Sequence, residues 1–200
     1  MRPPIGTLQG GCLGRWFEEL CRIDKKHIGC IMRPGHPRTL DRGRLPAEGG
    51  VYAFWWTGDT GRLRDRKREI VRAGPGGSPV RLRLDDEWLG LSTGLPIPLY
   101  VGKTTDIRSR VSQHLRLRCN RGLQQAAGNG QQKPATTACQ LRAGIDRLFP
   151  RVKDTRNLIL KCVGLSYVEL DGPEYAANRF YLECMAIGQL RPPFNVDVER

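Results

Sequence analysis

The sequence predicts a mixed α/β (α+β) domain in which a few short strands are combined with amphipathic helices. Apolar segments rich in aromatic and β-branched residues indicate strands near 50–56, 98–102 and 158–170. Apolar residues spaced three and four apart indicate helices near 105–117 and 174–190. Because 39% of the 200 residues are hydrophobic, the chain can form a packed core, which argues against wholesale disorder.

The first 47 residues precede these elements and form a predicted N-terminal helical and basic extension, residues 1–47. Residues 1–12 lack a regular pattern, whereas Trp16 to Ile31 has apolar residues at helical spacing. Residues 33–48 contain three prolines and are interpreted as a basic linker.

Two further segments interrupt the predicted core elements. Residues 60–72 carry many arginines and predict a short basic helix, and Val80 to Leu84 alternates apolar residues with arginine as a strand does. Residues 119–137 are rich in Gln, Gly, Ala and Asn and predict a flexible loop. Leu141 to Phe149 then predicts a short amphipathic helix.

The chain is strongly basic, with 33 Lys and Arg against 20 Asp and Glu and a formal net charge of +13. Such an excess favours a nucleic-acid partner over a protein whose charges are merely solvated. The arginine guanidinium forms paired hydrogen bonds with phosphates and guanine edges. Basic side chains of the first interrupting segment are therefore candidates for DNA contact, and the alternative is a solvated basic face. These candidates are Arg62, Arg64, Arg66, Lys67, Arg68, Arg81 and Arg83.

The cysteines and the N-terminus indicate the compartment. There are seven cysteines, and none forms a C-x-x-C pair or a zinc-finger spacing with histidines, so reduced thiols without zinc are expected. The N-terminus lacks the apolar core of a signal peptide, and no apolar run is long enough to span a bilayer. We expect a cytoplasmic protein that does not associate with membranes.

Two tyrosine tripeptides carry the most specific chemical pattern. Gly50-Val51-Tyr52 and Tyr100-Val101-Gly102 each join strand-forming residues to a glycine, which leaves room for a close approach. Lys103 follows the second tripeptide, and Arg110 and His114 are four residues apart on the next predicted helix. A phenol, an imidazole and cations are groups that can transfer protons and stabilise charge on a phosphodiester.

A glutamate lies on the last predicted helix among apolar neighbours. At helical spacing, Glu183 shares its face with Phe180, Ala186 and other apolar residues, so we expect this face to point towards the core. A carboxylate there needs a partner, which is either Arg179 in a buried pair or a hard cation such as Mg²⁺. Asn195, twelve residues further on, is either a turn former or an amide that contacts a substrate phosphate or a neighbouring site residue.

In this combination of motifs the chain resembles a GIY-YIG nuclease. The resemblance covers about residues 48–115 and 157–198, and it implies a small three-stranded antiparallel sheet flanked by helices. A nuclease domain over 48–200 would then carry insertions at 57–98 and 119–137. The matching elements are Gly-Val-Tyr at 50–52, Tyr-Val-Gly-Lys at 100–103, Arg110, His114, Glu183 and Asn195.

The resemblance implies metal-dependent hydrolysis of DNA phosphodiester bonds. A compact domain with basic insertions is more similar to the restriction-type members, which must cut both strands and would act as a homodimer or through two binding events. The alternatives are a structure-specific or repair nuclease, an RNA nuclease, and a non-catalytic nucleic-acid-binding module of the same fold.

The resemblance also implies a role for each residue of the pattern. Glu183 would hold Mg²⁺ or Mn²⁺, Arg110 would bind a phosphate oxygen, and Asn195 would make a supporting contact. Lys103 would bind phosphate as well or lower the pKa of a tyrosine. The general base is Tyr52, oriented by His114, or Tyr100, and nearby cations are expected to favour the phenolate.

Overall fold

A central three-stranded antiparallel sheet, with helices against both of its faces, organises the chain in the computed structural model. Two separate two-stranded hairpins accompany this sheet. The predicted α+β class and the three-stranded antiparallel sheet are therefore confirmed. The structure describes residues 10–22, 27–64, 69–73, 79–84, 96–116 and 140–195.

The described elements follow one another in chain order. They are α1 (Gly10–Cys21), β1 (Met32–Arg33), β2 (His36–Leu40), β3 (Gly50–Trp56), α2 (Gly61–Arg64), β4 (Glu69–Ala73), β5 (Pro79–Arg83), β6 (Ile97–Thr104), α3 (Ile107–Arg116), α4 (Gln140–Leu148), α5 (Thr155–Cys162), β7 (Val163–Glu169) and α6 (Ala176–Leu190).

Strand β3 is the centre of the main sheet, with β6 on one side and β7 on the other. Its seven residues are all buried, and four of them are aromatic, each burying roughly 150–250 Å². The register pairs Tyr52 with Gly102 of β6 and with Tyr167 of β7. The pairing of β3 with β7 is regular through Gly164, whereas the pairing of β3 with β6 is irregular between Phe54 and Trp55.

Alternation along β3 creates a core on each face of the sheet. Tyr52, Phe54 and Trp56 pack on the face covered by residues of α3, α4 and α5. Val51, Ala53 and Trp55 pack on the opposite face with residues of α1 and α6. Residues two apart on a strand point to the same face, so both cores follow from one apolar run.

The N-terminal helix lies earlier than predicted. It spans Gly10–Cys21, and Ile28–Ile31 forms a separate 3₁₀ turn, so a helix over residues 16–31 is wrong. Leu20 packs on one face of the sheet, whereas Ile28 and Ile31 pack on the other, which one continuous helix could not achieve. The predicted linker over 33–48 contains the β1–β2 hairpin, which turns at Gly35 with a φ of 72°.

Two further segments differ from their predicted structure. The basic helix expected over 60–72 stops at Arg64, because Glu69–Ala73 pairs as a strand with β5. Residues 158–162 belong to helix α5 rather than to a strand; the side chain of Asp154 caps this helix by accepting a hydrogen bond from the backbone N–H of Arg156.

The remaining elements agree with the sequence, with strand β5 near 80–84, helix α4 near 141–149, and helices α3 and α6 close to their predicted bounds. The loop predicted over 119–137 lies outside the described residues. In the part of the chain that the structure describes, no helix combines the length and apolar character needed to cross a membrane.

Candidate functional site

Strand β6 brings together the residues singled out in the sequence. Tyr100 and Lys103 lie on it, and Tyr52 is beside it on β3. We call the set the β6 cluster; the structure connects its members to one another or to the β6 backbone. The cluster consists of Tyr52, Tyr100, Lys103, Arg110, His114, Glu183 and Asn195.

One half of the cluster is a buried phenol and imidazole group. The Tyr52 Oη atom lies 2.9 Å from His114 Nε2 and accepts a hydrogen bond from Arg110 Nε at 3.4 Å. Arg110 and His114 reach the same hydroxyl because residues four apart share one face of helix α3. The Tyr100 ring completes the group, with its centroid 6.1 Å from that of Tyr52 and 5.2 Å from that of His114.

Steric crowding explains why each tripeptide contains a glycine. A Cβ atom at Gly102 would lie 2.6 Å from Tyr52 Oη and 2.9 Å from Tyr100 Cε1. A Cβ atom at Gly50 would lie 2.2 Å from the carbonyl oxygen of Val168. The first glycine makes room for the two phenol rings, and the second allows close pairing with β7.

Burial keeps the phenol groups of Tyr52 and Tyr100 protonated. It raises the pKa of Tyr52 well above its ordinary value, with the charge of Tyr100 adding to the effect and Arg110 opposing it. Burial likewise raises the pKa of Tyr100, against the influence of Arg110. The expectation that nearby cations favour the phenolate is therefore wrong for the free protein, because desolvation outweighs the cation.

His114 is neutral for the same physical reason. Burial, with the positive charge of Arg110 in second place, lowers the pKa of His114 from 6.5 to about 3. Its Nε2 atom contacts Tyr52, and its Nδ1 atom has no hydrogen-bond partner among the residues described. The group therefore stores two phenol protons beside a neutral imidazole and one guanidinium.

The other half of the cluster contains a carboxylate on the opposite side of β6. The Glu183 Oε1 atom accepts a hydrogen bond from the Lys103 backbone N–H at 3.0 Å, and Oε2 forms an ion pair with the Lys103 ammonium group. The Glu183 side chain is only 12% exposed, whereas that of Lys103 is 42% exposed. Strand β6 thus fixes the carboxylate through its own backbone.

Two expectations about helix α6 need correction. The alternative pairing of Glu183 with Arg179 is wrong, since Arg179 donates to the carbonyl oxygens of Leu170 and Gly172. The expectation that the Glu183 face points to the core holds only in part, because Ala186 is buried whereas Phe180 is 49% exposed. The buried residues of α6 are Arg179, Leu182 and Ala186.

Asn195 holds the backbone of the site. Its Oδ1 atom accepts from the Val101 N–H at 2.8 Å, and its Nδ2 atom donates to the Val101 carbonyl at 2.6 Å. The N–H of Phe194 donates to the Leu99 carbonyl at 3.1 Å. The sequence left three roles open for Asn195: forming a turn, contacting a substrate phosphate, or holding a neighbouring site residue. The two hydrogen bonds to Val101 favour the third role.

The basic residues predicted to contact DNA are spread over several elements. Arg62 is exposed on α2, and Arg81 is exposed on β5, where its guanidinium pairs with Glu69 at 2.7 Å. Arg64 ends α2, and Arg83 ends β5 opposite Glu69. Arg66, Lys67 and Arg68 lie outside the described residues.

Sequence reasoning missed Phe180 as a member of the site's surroundings. The Lys103 Nζ atom lies 5.2 Å from the centroid of its ring, beside the ion pair with Glu183. The helical spacing indicates that Phe180 is near Glu183, because the two residues are three apart. The same spacing does not show that the Phe180 ring is exposed to solvent.

The donors available for a metal are few. Among the residues that the structure describes, no group of three or more His, Cys, Asp or Glu side chains could hold a metal ion. Glu183 supplies one hard carboxylate, which suits Mg²⁺ when waters and substrate phosphate complete its coordination. The donor chemistry therefore fits this ion but not a zinc site built from protein ligands alone.

Comparison with protein-family models gives no match, and neither the curated proteins nor the solved structures give a significant one. The fold and the β6 cluster define the chain as an α+β protein with a buried phenol–imidazole group, contacted by a partly exposed guanidinium, next to an anchored carboxylate.

Proposed function

We propose that this protein is a metal-dependent DNA endonuclease of the GIY-YIG type. The observation that carries the proposal is the convergence on β6 of a phenol group, two cations and a carboxylate from distant parts of the sequence. Such a set can bind a phosphate, activate a water and stabilise a leaving oxygen. The net charge of +13 supports a polyanionic substrate.

The cations would bind the scissile phosphate. Arg110 donates to Tyr52 Oη at 3.4 Å and is partly exposed, so a phosphate oxygen at its guanidinium would also be close to the phenol. Lys103 lies on the other side of Gly102 and is exposed. A phosphodiester placed at the edge of β6 would then contact both cations.

Glu183 would hold Mg²⁺ or Mn²⁺. The bound ion supplies stabilisation of charge on the phosphate and on the leaving 3′ oxygen. The Lys103 N–H keeps one carboxylate oxygen in place, and the Lys103 ammonium group would have to release the other.

Tyr52 would act as the base through a proton relay. As water attacks phosphorus, its proton passes to Tyr52 Oη, the hydroxyl proton passes to His114 Nε2, and the bond to the 3′ oxygen breaks. The 2.9 Å contact provides the path if His114 carries its resting proton on Nδ1. Burial is the main cause of the low pKa of His114 and the charge of Arg110 is the second; a phosphate at Arg110 would offset this second contribution and so favour the transfer.

Substitution of Glu183 tests the proposal. Purified protein with Mg²⁺ should cut DNA, and Glu183→Ala should abolish cutting while DNA binding is preserved. Glu183→Gln, which keeps an oxygen acceptor for the Lys103 N–H, should be equally inactive if the negative charge holds the ion. The exposed Glu174→Gln on the turn before α6 is the matched control. Cutting by Glu183→Ala at the wild-type rate would remove the metal assignment.

The substrate preference is a separate question. We expect restriction-type cleavage of both strands, which requires a homodimer or two binding events. Sequencing the ends of a digested phage genome would give one fixed motif for a restriction-type enzyme and scattered ends for a structure-directed one. Parallel assays with RNA would identify an RNA nuclease.

A further inference from the structure

Helix α6 exposes two adjacent aromatic rings. Phe180 is 49% exposed and Tyr181 is 45% exposed, and their centroids are 5.6 Å apart in an edge-to-face arrangement. Large apolar rings are usually buried, so an exposed pair indicates a surface that meets a partner. We call Phe180 and Tyr181 the α6 aromatic pair.

The pair lies beside the carboxylate of the β6 cluster. Phe180 and Glu183 are three residues apart and therefore neighbours on the helix surface. The Lys103 ammonium group lies 5.2 Å from the Phe180 centroid and is also the ion-pair partner of Glu183. One lysine side chain thus bridges the exposed ring and the carboxylate.

This position determines what can cover the ring. A second protein chain packed on Phe180 would also cover Lys103 and Glu183, and so would block the site. The substrate is the one partner that must approach both the ring and the carboxylate. A basic protein with an aromatic ring next to a phosphate-binding lysine has the combination used to bind unpaired nucleic acid, in which cations follow the backbone and rings stack on bases.

We propose that Phe180 of the α6 aromatic pair stacks on a nucleobase that is unpaired next to the scissile phosphate. The inference rests on the proposed nuclease function and names its substrate class, which is DNA with an unpaired nucleotide at the point of cleavage; it therefore selects the structure-specific alternative over restriction-type cleavage of a continuous duplex. In a continuous duplex the faces of each base are covered by its neighbours. In a single strand or at a branch, the face of a base is free to meet Phe180.

Binding measurements without cleavage test the inference. Fluorescence anisotropy in EDTA would give the dissociation constants of a single strand, a 5′ flap and a continuous duplex of equal length. Phe180→Ala should weaken binding of the flap and the single strand about tenfold, and that of the duplex less than twofold. Phe180→Trp should retain wild-type affinity, and Phe180→Leu should behave like Phe180→Ala. Tyr175→Ala, which removes an exposed ring that contacts Trp16 instead, is the matched control.

A spectroscopic readout locates the contact. A 2-aminopurine base placed next to the cleaved bond should change its fluorescence on binding to wild type and to Phe180→Trp, but not to Phe180→Ala.

Three outcomes would overturn the inference. Equal affinities of wild type and Phe180→Ala for all three DNAs would do so while leaving the nuclease proposal intact. A change in sedimentation caused by Phe180→Ala would instead assign the ring to contact with a second copy of the chain. If wild type bound none of the DNAs, the inference and the proposed function would both fail.

Discussion

The two sides of strand β6 place neighbouring residues in different dielectric environments. On one side Tyr52 and His114 are fully buried, and burial keeps the phenol protonated and the imidazole neutral. On the other side Lys103 and Glu183 form an ion pair in which the lysine side chain is 42% exposed. Strand β6 therefore separates a group that holds protons on one face from an anchored carboxylate on the other. For Tyr52 and His114 the direction of the pKa shift is set by burial more than by the charges near them.

The largest expected effect is the fall in the DNA cleavage rate when a buried tyrosine is replaced. If Tyr52 is the base, Tyr52→Phe should reduce the cleavage rate by a factor on the order of 10²–10⁴, and Tyr100→Phe should reduce it less. Single-turnover cleavage with Mg²⁺ measures both rates. Tyr167→Phe is the matched control, because Tyr167 is the β7 partner of Tyr52 in the sheet. The reverse order of the two effects would make Tyr100 the base.

Acid should destabilise the protein through His114. The unfolded state binds a proton near pH 6.5, whereas the folded state resists protonation down to about pH 3. Its contribution to stability is therefore fully present above pH 6.5 and is lost as the pH falls towards 3, at up to about 1.4 kcal/mol per pH unit. Urea unfolding at several pH values measures this slope, which His114→Gln should reduce.

The control for this prediction is His36→Gln, in the exposed β1–β2 hairpin, which should keep the wild-type slope. An unchanged slope in His114→Gln would mean that other groups cause the acid sensitivity.

Filling the space between the two phenol rings should cost stability. Gly102→Ala places a methyl group 2.6 Å from Tyr52 Oη, and overpacking of this kind costs about 1–3 kcal/mol. Gly188→Ala is the matched control, since a Cβ atom there meets nothing within 4 Å and alanine favours a helix. Thermal unfolding of both variants measures the difference. Equal melting temperatures for Gly102→Ala and wild type would show that the rings can move apart.

The smallest expected effect on stability is on the exposed side. Lys103→Met removes the exposed partner of the ion pair, and the Lys103 N–H still donates to the Glu183 carboxylate, so the free energy of unfolding should change by about 1 kcal/mol. The affinity of Glu183 for Mn²⁺ should nevertheless increase, because the lysine no longer competes for the carboxylate. Calorimetric titration of the DNA-free protein with Mn²⁺ measures this, and weaker binding by Lys103→Met would contradict it.

The strands and helices that carry the β6 cluster could be predicted because their patterns are local. Glycine followed by aromatic and β-branched residues identified β3, and a four-residue spacing placed Arg110 and His114 on one face of α3. The strand predicted over 158–170 began too early because a short apolar run such as Leu158 to Leu160 fits a strand and a buried helix equally well. The helix cap at Asp154 decides between the two.

Properties that depend on depth could not be predicted. The sequence shows the charge of Arg110 near two tyrosines, but the amount of solvent removed from Tyr52 is a property of the assembled core. The exposure of Phe180 also depends on how the elements pack together. The Phe180 ring lies against Lys103 of the edge strand β6 and stays 49% exposed, which the helical period alone does not reveal.

The contacts of Phe194 and Asn195 have a consequence for solubility. Strand β6 lies at the edge of its sheet, and such a strand offers unpaired backbone groups to any other strand that approaches. Phe194, Asn195 and Glu183 occupy these groups at Leu99, Val101 and Lys103 in turn. The same three contacts that shape the site therefore act as a barrier against strand addition, and a chain shortened before residue 194 would be prone to polymerise through β6.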